Sequence, residues 1–270
     1  MFLIIIICTR IPAAFERVPQ SPLATGSAYS YFLGERSLID FLSHPADLAR
    51  TGRVGFSVFH SSSFGVAALG QYGFTLTAPM KGGTLGTGFA TLGQTRYRET
   101  ALSVGAGRRI GAGLDAGVLL NIFELYIANY QTDRTVAATV SVSYALGERV
   151  RWSLLFRNLN GPHLGRSREL LPQIVSTGVT VSPTARVTSA LELEKDLEFE
   201  NRYKFGLLWQ PLSLFTVTTG FITHPAQATA AVSVEFPLLN PPYLGRVSYG
   251  LATHPELAIS QVLSLQFVLR

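Results

Sequence analysis

The stretch Thr135–Tyr144, with the sequence TVAATVSVSY, alternates between two kinds of side chain. One set is mostly apolar: Val136, Ala138, Val140, Val142 and Tyr144. The other set is small and mostly polar: Thr135, Ala137, Thr139, Ser141 and Ser143. Because successive side chains of a strand point to opposite faces, this pattern predicts a β-strand with one apolar and one small polar face. The same rhythm runs from about Val54 to Leu269, and Gly, Pro, Asn, Asp and Ser interrupt it.

The composition narrows the class of protein. Charged residues make up only 14% of the 270 residues, and the mean hydropathy is +0.27. No internal run approaches the ~18–20 apolar residues that a membrane helix needs. The apolar residues are therefore interleaved, as in a lipid-facing barrel or a sandwich with a large core. The net charge of +5 is spread over turns and loops, which argues against nucleic-acid binding.

Fourteen strand candidates follow from the alternation, and their lengths suit a tilted crossing of the hydrocarbon layer. They are 53–59, 70–78, 84–92, 98–107, 111–123, 134–145, 150–158, 173–182, 185–194, 203–210, 213–221, 227–236, 243–251 and 258–269.

The connections between these strands also alternate. Links after even-numbered candidates are short, and the long links, such as Asn158–Pro172, follow odd-numbered ones. Outer-membrane barrels sort their loops in this way, whereas a Greek-key sandwich has no reason to. Only closure removes both sheet edges in lipid. The sequence thus predicts an all-β fold, a single closed antiparallel transmembrane β-barrel of about 14 strands with an N-terminal plug segment.

The N-terminal part differs from the strands and divides the chain into three regions. Residues 1–14 resemble a signal-peptide leader, because an apolar run ends near small residues. Residues 15–52 contain a small-residue stretch followed by short helical turns, for which Ser37 is a candidate N-cap. We expect this region to plug the barrel formed by residues 53–270.

Few side chains suggest chemistry. The five histidines are isolated, Cys8 is the only cysteine, and no nucleophile–base pair is visible, so we expect no enzyme, no cofactor and no metal site. The repeated Thr-His-Pro at 223–225 and 253–255 is interpreted as a proline turn used twice. Charged residues on the inward face give either a satisfied polar interior or a solute-guiding lumen: Arg151, Arg157, Arg186, Glu192 and Glu194.

Three motifs carry a family resemblance. Ser43–Ala49 (SHPADLA) resembles the "NPAGLA"-like plug motif of the FadL-type outer-membrane superfamily, in particular its PorV/PorQ-like branch, with His44 in place of Asn and Asp47 in place of Gly. Residues 156–161 are similar to a strand-end motif of that branch, and residues 248–267 to its closing hairpin. The resemblance implies a plug motif made of His44, Pro45, Ala46, Asp47 and Leu48.

The resemblance leaves two functions open. PorV/PorQ-like members imply a partner in protein export or surface attachment, and this is the function that we expect first. FadL-like members imply a passive conduit for hydrophobic solutes. A third possibility is a soluble lipid-binding β-protein. The expected partners are outer-membrane lipid and either secretion components or hydrophobic small molecules, with no nucleic acid. The expected location is the outer membrane of a Gram-negative type cell.

Overall fold

The structure is a computed structural model of the whole chain. It describes residues 14–15, 18–33, 37–130, 132–165, 169–197, 200–238 and 243–269. Apart from Ala14, the leader predicted for residues 1–14 lies outside the described residues.

Fourteen antiparallel strands form a closed barrel, which confirms the predicted all-β barrel of about 14 strands. The strands of the chain are β1 (Gly55–Ser62), β2 (Gly70–Met80), β3 (Gly83–Gly93), β4 (Tyr97–Ile110), β5 (Leu114–Ile127), β6 (Asp133–Ala145), β7 (Val150–Arg157), β8 (His163–Leu164), β9 (Glu169–Leu170), β10 (Ile174–Thr184), β11 (Val187–Asp196), β12 (Arg202–Leu212), β13 (Phe215–Ile222), β14 (Gln227–Pro237), β15 (Tyr243–Ala252) and β16 (Ser260–Leu269). The short strands β8 and β9 form a separate hairpin within the link between β7 and β10.

Strand pairing follows the order of the chain all the way round. β7 pairs with β10, and β1 pairs with β16 over eight residues, from Gly55 opposite Val268 to Ser62 opposite Gln261. This last pairing removes both sheet edges. As predicted, the links after β2, β4, β6, β10, β12 and β14 are short and the longest, residues 158–173, follows β7, although the links 94–96 and 223–226 at the other end are short as well. We call the two ends of the barrel the short-turn rim and the long-loop rim.

The two faces of the wall differ as the alternation predicted. In β6, Thr139, Ser141 and Ser143 are buried, whereas Val136 and Tyr144 are 53% and 42% exposed. The same contrast holds in β2, where Thr75 is buried and Tyr72 is exposed. The apolar face therefore points outward, and the small polar face points into the lumen. Within the described residues, no helix is long and apolar enough to cross a membrane.

Before β1 the chain forms short helical elements. They are α1 (Pro22–Gly26), two 3-10 turns (Asp40–Leu42 and Pro45–Asp47) and α2 (Leu48–Thr51). Short helical turns were predicted only for the second half of this region, and there Ser37 Oγ accepts a hydrogen bond from the Ile39 N–H at 3.3 Å. In the first half, Ser21 caps α1, since its Oγ accepts from the Ala24 N–H at 3.1 Å.

Candidate functional site in the barrel lumen

The described residues of 18–51, here called the luminal segment, lie inside the barrel. Its helical elements contact strands on opposite sides of the wall, namely β2–β6 on one side and β13–β16 on the other. Phe32 packs toward β10 at Gly178, and Leu33 packs toward β12 at Gly206. A segment that touches strands all round a closed barrel must occupy its lumen. The luminal segment thus lies inside the barrel, where the sequence predicts a plug.

Small residues let α1 approach the wall closely. Gly26 lies against β13 and β14, where an added Cβ would stand 2.2 Å from Thr218 Oγ1 and 2.5 Å from the Ala231 backbone nitrogen. Thr229 Oγ donates to the Gly26 carbonyl at 2.8 Å and accepts from the Ala28 N–H at 2.9 Å. The small residues after Ser21 thus permit direct hydrogen bonding between the luminal segment and the wall.

The motif predicted for the plug, His44–Leu48, docks on β4, β5 and β6. The Ala46 N–H donates to Ser141 Oγ at 2.8 Å, and Gly117 faces Pro45 without room for a side chain. Within the motif, His44 Nδ1 lies 2.9 Å from Asp47 Oδ1. Leu48 is fully buried in an apolar cluster that also contains Ile39, Phe41, Leu42, Phe59, Ala90 and Leu119. All five motif residues are therefore buried, in the short-turn half of the lumen.

A group of buried charges joins the wall to the luminal segment. Lys204 Nζ lies 3.0 Å from Glu192 Oε1 and 2.7 Å from Glu194 Oε2, and it donates to the Tyr29 carbonyl at 3.1 Å. All three charged side chains are at most 2% exposed. Arg202 also reaches Glu194, at 3.2 Å. These four residues form what we call the charge cluster.

The charge cluster holds the backbone of the luminal segment directly. Glu192 Oε2 accepts from Ser30 Oγ at 2.9 Å and from the Tyr31 N–H at 3.0 Å. The Lys204 ammonium also lies 3.9 Å from the centroid of the Tyr31 ring. Burial raises the pKa of Tyr31 to about 12, so its phenol stays neutral at physiological pH. Fully satisfied buried charges of this kind favour one docked position, because every alternative leaves a charge without its partner.

Asp40 is a buried carboxylic acid within the luminal segment. Its Oδ1 accepts from the Ser21 N–H and its Oδ2 from Ser21 Oγ, both at 2.8 Å. Burial raises the pKa of Asp40 to about 7; Asp47 also raises it, while the hydrogen bonds from Ser21 and the charge of Arg246 act in the opposite direction. Asp40 thus joins the start of α1 to the first 3-10 turn, and the pKa of its carboxyl group is near neutral pH.

This raised pKa predicts a pH-dependent stability. Between about pH 4 and pH 7 the folded protein binds a proton at Asp40 that the unfolded chain releases, so stability falls as the pH rises through that window. Since one pKa unit corresponds to about 1.4 kcal/mol, we expect a difference of about 2–4 kcal/mol between pH 5 and pH 8. Urea unfolding of refolded protein at both pH values measures it. Asp40→Asn should largely remove the difference, and an unchanged pH profile in that variant would contradict the assignment.

The other predicted lumen residues have different positions. Glu192, Glu194 and Arg157 are buried on the inner face, and Arg157 Nη2 donates to the Phe15 carbonyl at 2.6 Å. Arg151 lies on the same face of β7 as Arg157, nearer the short-turn rim, and is half-buried. Arg186 is exposed in the two-residue turn before β11, so the prediction that it lines the lumen is wrong. The structure does not bring these five side chains together in one site.

Two adjoining cavities remain in the long-loop half of the lumen. The larger, of about 330 Å³, opens beside the charge cluster and is lined on the outside by loop residues that include Phe64, Pro225 and His254. The smaller, of about 30 Å³, is mainly apolar. Its lining includes Phe15, Val18, Leu42, Leu92, Ala101 and Phe123. Val18, Gln71 and Arg157 line both cavities, so the two adjoin through one wall of side chains.

The small cavity ends at an interruption of the barrel wall. β6 pairs with β7 only from Val140 to Ala145, so the half of β6 nearest the long-loop rim has β5 on one side and no strand on the other. The Asn160 side chain substitutes for that strand, because its Nδ2 donates to the Val136 carbonyl and its Oδ1 accepts from the Ala138 N–H, both at 2.9 Å. We call this place the β6–β7 seam.

The link between β7 and β10 closes the seam from inside. Asn158 leaves β7 with a left-handed φ of 55°, and its side chain donates to the Pro172 carbonyl at 2.8 Å. Leu164 and Leu171 then pack on Phe123 and on the Phe15 ring. Phe15 and Phe123 stack with ring centroids 4.4 Å apart. The small cavity is thus separated from the outer surface of the barrel by a loop rather than by a paired strand.

The histidines of the two Thr-His-Pro turns lie in links of the long-loop rim, and the His224 carbonyl accepts a hydrogen bond from Arg202 Nε of the charge cluster at 3.2 Å. His224 Nε2 is 3.6 Å from Glu200, and His254 Nδ1 accepts from the backbone N–H groups of Glu256 and Leu257 at 3.2 Å. In the part of the chain that the structure describes, no group of three or more His, Cys, Asp or Glu side chains could hold a metal ion.

Comparison with known proteins shows which solved structures share this fold. No protein-family model and no curated protein matches the sequence. Several solved structures match the fold over nearly the whole chain. The toluene transporter TbuX of Ralstonia pickettii has a TM-score of 0.68 at 9% identity, covering 95% of this chain and 100% of that chain.

Two further matches are of the same kind. The CymD monoaromatic hydrocarbon channel has a TM-score of 0.65 at 12% identity, over 95% of this chain and 98% of that chain. A FadL homologue of Pseudomonas aeruginosa has a TM-score of 0.64 at 9% identity, over 93% and 98%. The chain therefore has the fold of FadL-type outer-membrane barrels. Two of these three neighbours are named as a transporter and a channel, TbuX and CymD.

Proposed function

We propose that this protein is an outer-membrane channel for small hydrophobic molecules. The observation that carries the proposal is the pair of adjoining cavities in the long-loop half of the lumen, the inner of which is apolar and ends at the β6–β7 seam. The proposal is supported by the matching structures, which are named as carriers of toluene and monoaromatic hydrocarbons. The cavities and the matching structures together favour the conduit over the partner in protein export, which the sequence suggested first.

The proposed route enters at the long-loop rim and leaves sideways. The larger cavity receives the solute beside the charge cluster, and the smaller cavity desolvates it against Phe123 and Leu92. Because His44–Leu48 and the rest of the luminal segment fill the short-turn half, we propose that they act as a plug and that the solute passes through the β6–β7 seam into the membrane. Only movement of the 158–173 link is then required, without opening of a paired strand.

Uptake of a hydrocarbon into proteoliposomes tests the route. Ala101→Phe places a ring in the small cavity, and because interiors tolerate little added volume we expect uptake to fall to below about a tenth of the wild-type rate. The matched control is Leu102→Phe, the next residue on the same strand, whose side chain is 45% exposed on the outer face. Equal uptake by both variants and by wild type would contradict a route through this cavity.

The same assay tests the seam. Asn160→Ala removes both side-chain hydrogen bonds to β6, so we expect the link to loosen and uptake to rise a fewfold, on the order of the 1 kcal/mol that such a bond contributes. Gln94→Ala, which removes an exposed amide from the β3–β4 link, serves as the control. A variant at Asn160 with unchanged or lower uptake would place the exit elsewhere.

A second candidate function is the partner in protein export or surface attachment. It is favoured by one observation, the extent to which the luminal segment fills the short-turn half of the barrel. A filled lumen requires no transported solute. If wild-type proteoliposomes take up no hydrocarbon while secretion components co-purify with the folded protein, this second function replaces the first.

A further inference from the structure

A row of basic side chains surrounds most of the short-turn rim. Five of them are exposed and lie in turns or at strand ends from the residues before β1 to the turn before β11: Arg53, Lys81, Arg108, Arg149 and Arg186. We call this set the basic collar. Arg109 is next to it but pairs with the inward-facing Asp115 at 2.9 Å. Among the described residues of this rim, Glu148 is the exposed acid.

The described residues of the opposite rim do not share this excess of positive charge. Its exposed basic side chains, Arg96, Arg98, Arg134 and Lys195, are accompanied by the exposed acids Glu169, Glu200 and Glu256. Among the described residues, the exposed positive charge is therefore in greater excess at the short-turn rim. A one-sided excess of cations indicates an anionic partner at the short-turn end.

The height of the collar on the barrel identifies that partner. Each of three collar positions adjoins an exposed apolar side chain: Arg53 precedes Val54, Lys81 follows Met80, and Arg108 lies two residues before Ile110 on the outer face of β4. The side chains of Val54, Met80 and Ile110 are 48%, 55% and 53% exposed. The collar thus begins where the lipid-facing band ends.

Aromatic rings mark the same level. Tyr144, Trp209 and Tyr243 are 42%, 51% and 50% exposed near the short-turn ends of their strands. Such amphipathic rings favour the layer of lipid headgroups. Lys and Arg in this layer keep their apolar stems on the protein and extend the charge to the headgroup phosphates. Arg108 is exposed at this level, and its guanidinium lies beside Gly82 in the neighbouring turn.

We propose that the basic collar binds the headgroups of anionic phospholipids in the leaflet at the short-turn end of the barrel. The collar follows the perimeter next to the lipid-facing surface, where lipid is always present, rather than forming a compact patch for a protein. The binding is independent of any solute in the lumen. Its consequence is an annulus enriched in anionic lipid on one side of the membrane.

Lipid titration of the folded protein followed by native mass spectrometry tests the collar. We expect wild type to bind phosphatidylglycerol about three- to tenfold more strongly than phosphatidylcholine, with the preference lost in high salt. The collar variant Arg53→Gln/Lys81→Gln/Arg108→Gln/Arg149→Gln/Arg186→Gln should lose it. The control variant Arg96→Gln/Arg98→Gln/Arg134→Gln/Lys195→Gln, which neutralises the opposite rim, should keep it.

The outcomes are distinguishable. Heat-modifiable gel mobility shows whether each variant folds, and if the fivefold variant does not, Arg108→Gln/Arg149→Gln should still lower the preference severalfold. Equal affinity of wild type for the two lipids would overturn the proposal. An equal loss in the control variant would overturn it too. Retention of an acidic periplasmic protein by wild type, without any lipid preference, would also overturn it. Hydrocarbon uptake by the collar variant should stay at the wild-type rate, which separates this result from the proposed function.

Discussion

Replacement of Lys204 by methionine is expected to lower the free energy of unfolding by about 3–5 kcal/mol, because removal of one partner leaves a buried charge uncompensated. Glu192 would lose its ion pair with Lys204, and Glu194 would keep its ion pair with Arg202 and its hydrogen bond with the Tyr31 side chain. The Tyr29 carbonyl would also lose its donor. Urea unfolding of the refolded protein in detergent micelles gives the free energy.

Two comparisons make this expectation specific to buried charge. Arg134→Met breaks the ion pair with Glu124, whose side chains are 71% and 27% exposed, and should cost under about 1 kcal/mol. In the triple variant Lys204→Met/Glu192→Gln/Glu194→Gln all three fully buried charges are removed, and the remaining Arg202 side chain is 27% exposed, so part of the stability should return. A small loss in Lys204→Met, or a further loss in the triple variant, would show that the cluster does not hold the luminal segment.

The charge cluster also shows where prediction from the sequence ends. Alternation placed Glu192 and Glu194 on the inner face of their strand, and they are there. The partner Lys204 lies on the next strand, between the outward Tyr203 and Phe205, so its inward direction was visible in the same rhythm. Alternation predicts which face a side chain lies on, but it does not predict the register between two strands. Glu192 lies opposite Lys204 because the two strands pair in the register that the connecting link sets.

Other differences have equally local causes. Arg186 was counted in a strand from 185 to 194, but β11 begins at Val187, and side chains in a turn do not follow the alternation of a strand. Asp40 was not selected as a site, since it lies in a short helical turn whose burial depends on the barrel around it. The β6–β7 seam is also a tertiary feature, because β6 itself alternates without a break where its neighbour ends. The sequence thus predicts the wall much better than the contents of the lumen.

Replacement of Gly117 by valine is expected to release part of the luminal segment while leaving the barrel intact. An added Cβ at Gly117 would stand 2.2 Å from the carbonyl carbon and oxygen of Pro45 and 2.4 Å from the Ala46 nitrogen. These are backbone atoms, so no side-chain rotation relieves the clash. The 3-10 turn Pro45–Asp47 must therefore leave β5, and the hydrogen bond from Ala46 to Ser141 breaks with it.

A buried reporter cysteine measures the release. In a background with Cys8→Ala, Ser43→Cys lies at a position that is 2% exposed, so a maleimide mass tag should react slowly in otherwise wild-type protein. With Gly117→Val we expect labelling at least about tenfold faster, since a clash of this size costs more than the ~1.4 kcal/mol that shifts an opening equilibrium tenfold. The matched control is Ala116→Val, the preceding residue, whose side chain points to the outer face.

Hydrocarbon and polar-dye uptake then separate the two roles of the segment. If His44–Leu48 seal the short-turn half, Gly117→Val should admit a small polar dye that wild type excludes, while passage through the β6–β7 seam continues. In that case the seal alone would account for a glycine at position 117. The strand itself does not require one, because β5 pairs regularly with both its neighbours across this position. Slow labelling together with dye exclusion in Gly117→Val would mean that the wall yields instead of the turn. The luminal segment would in that case be a fixed part of the barrel core.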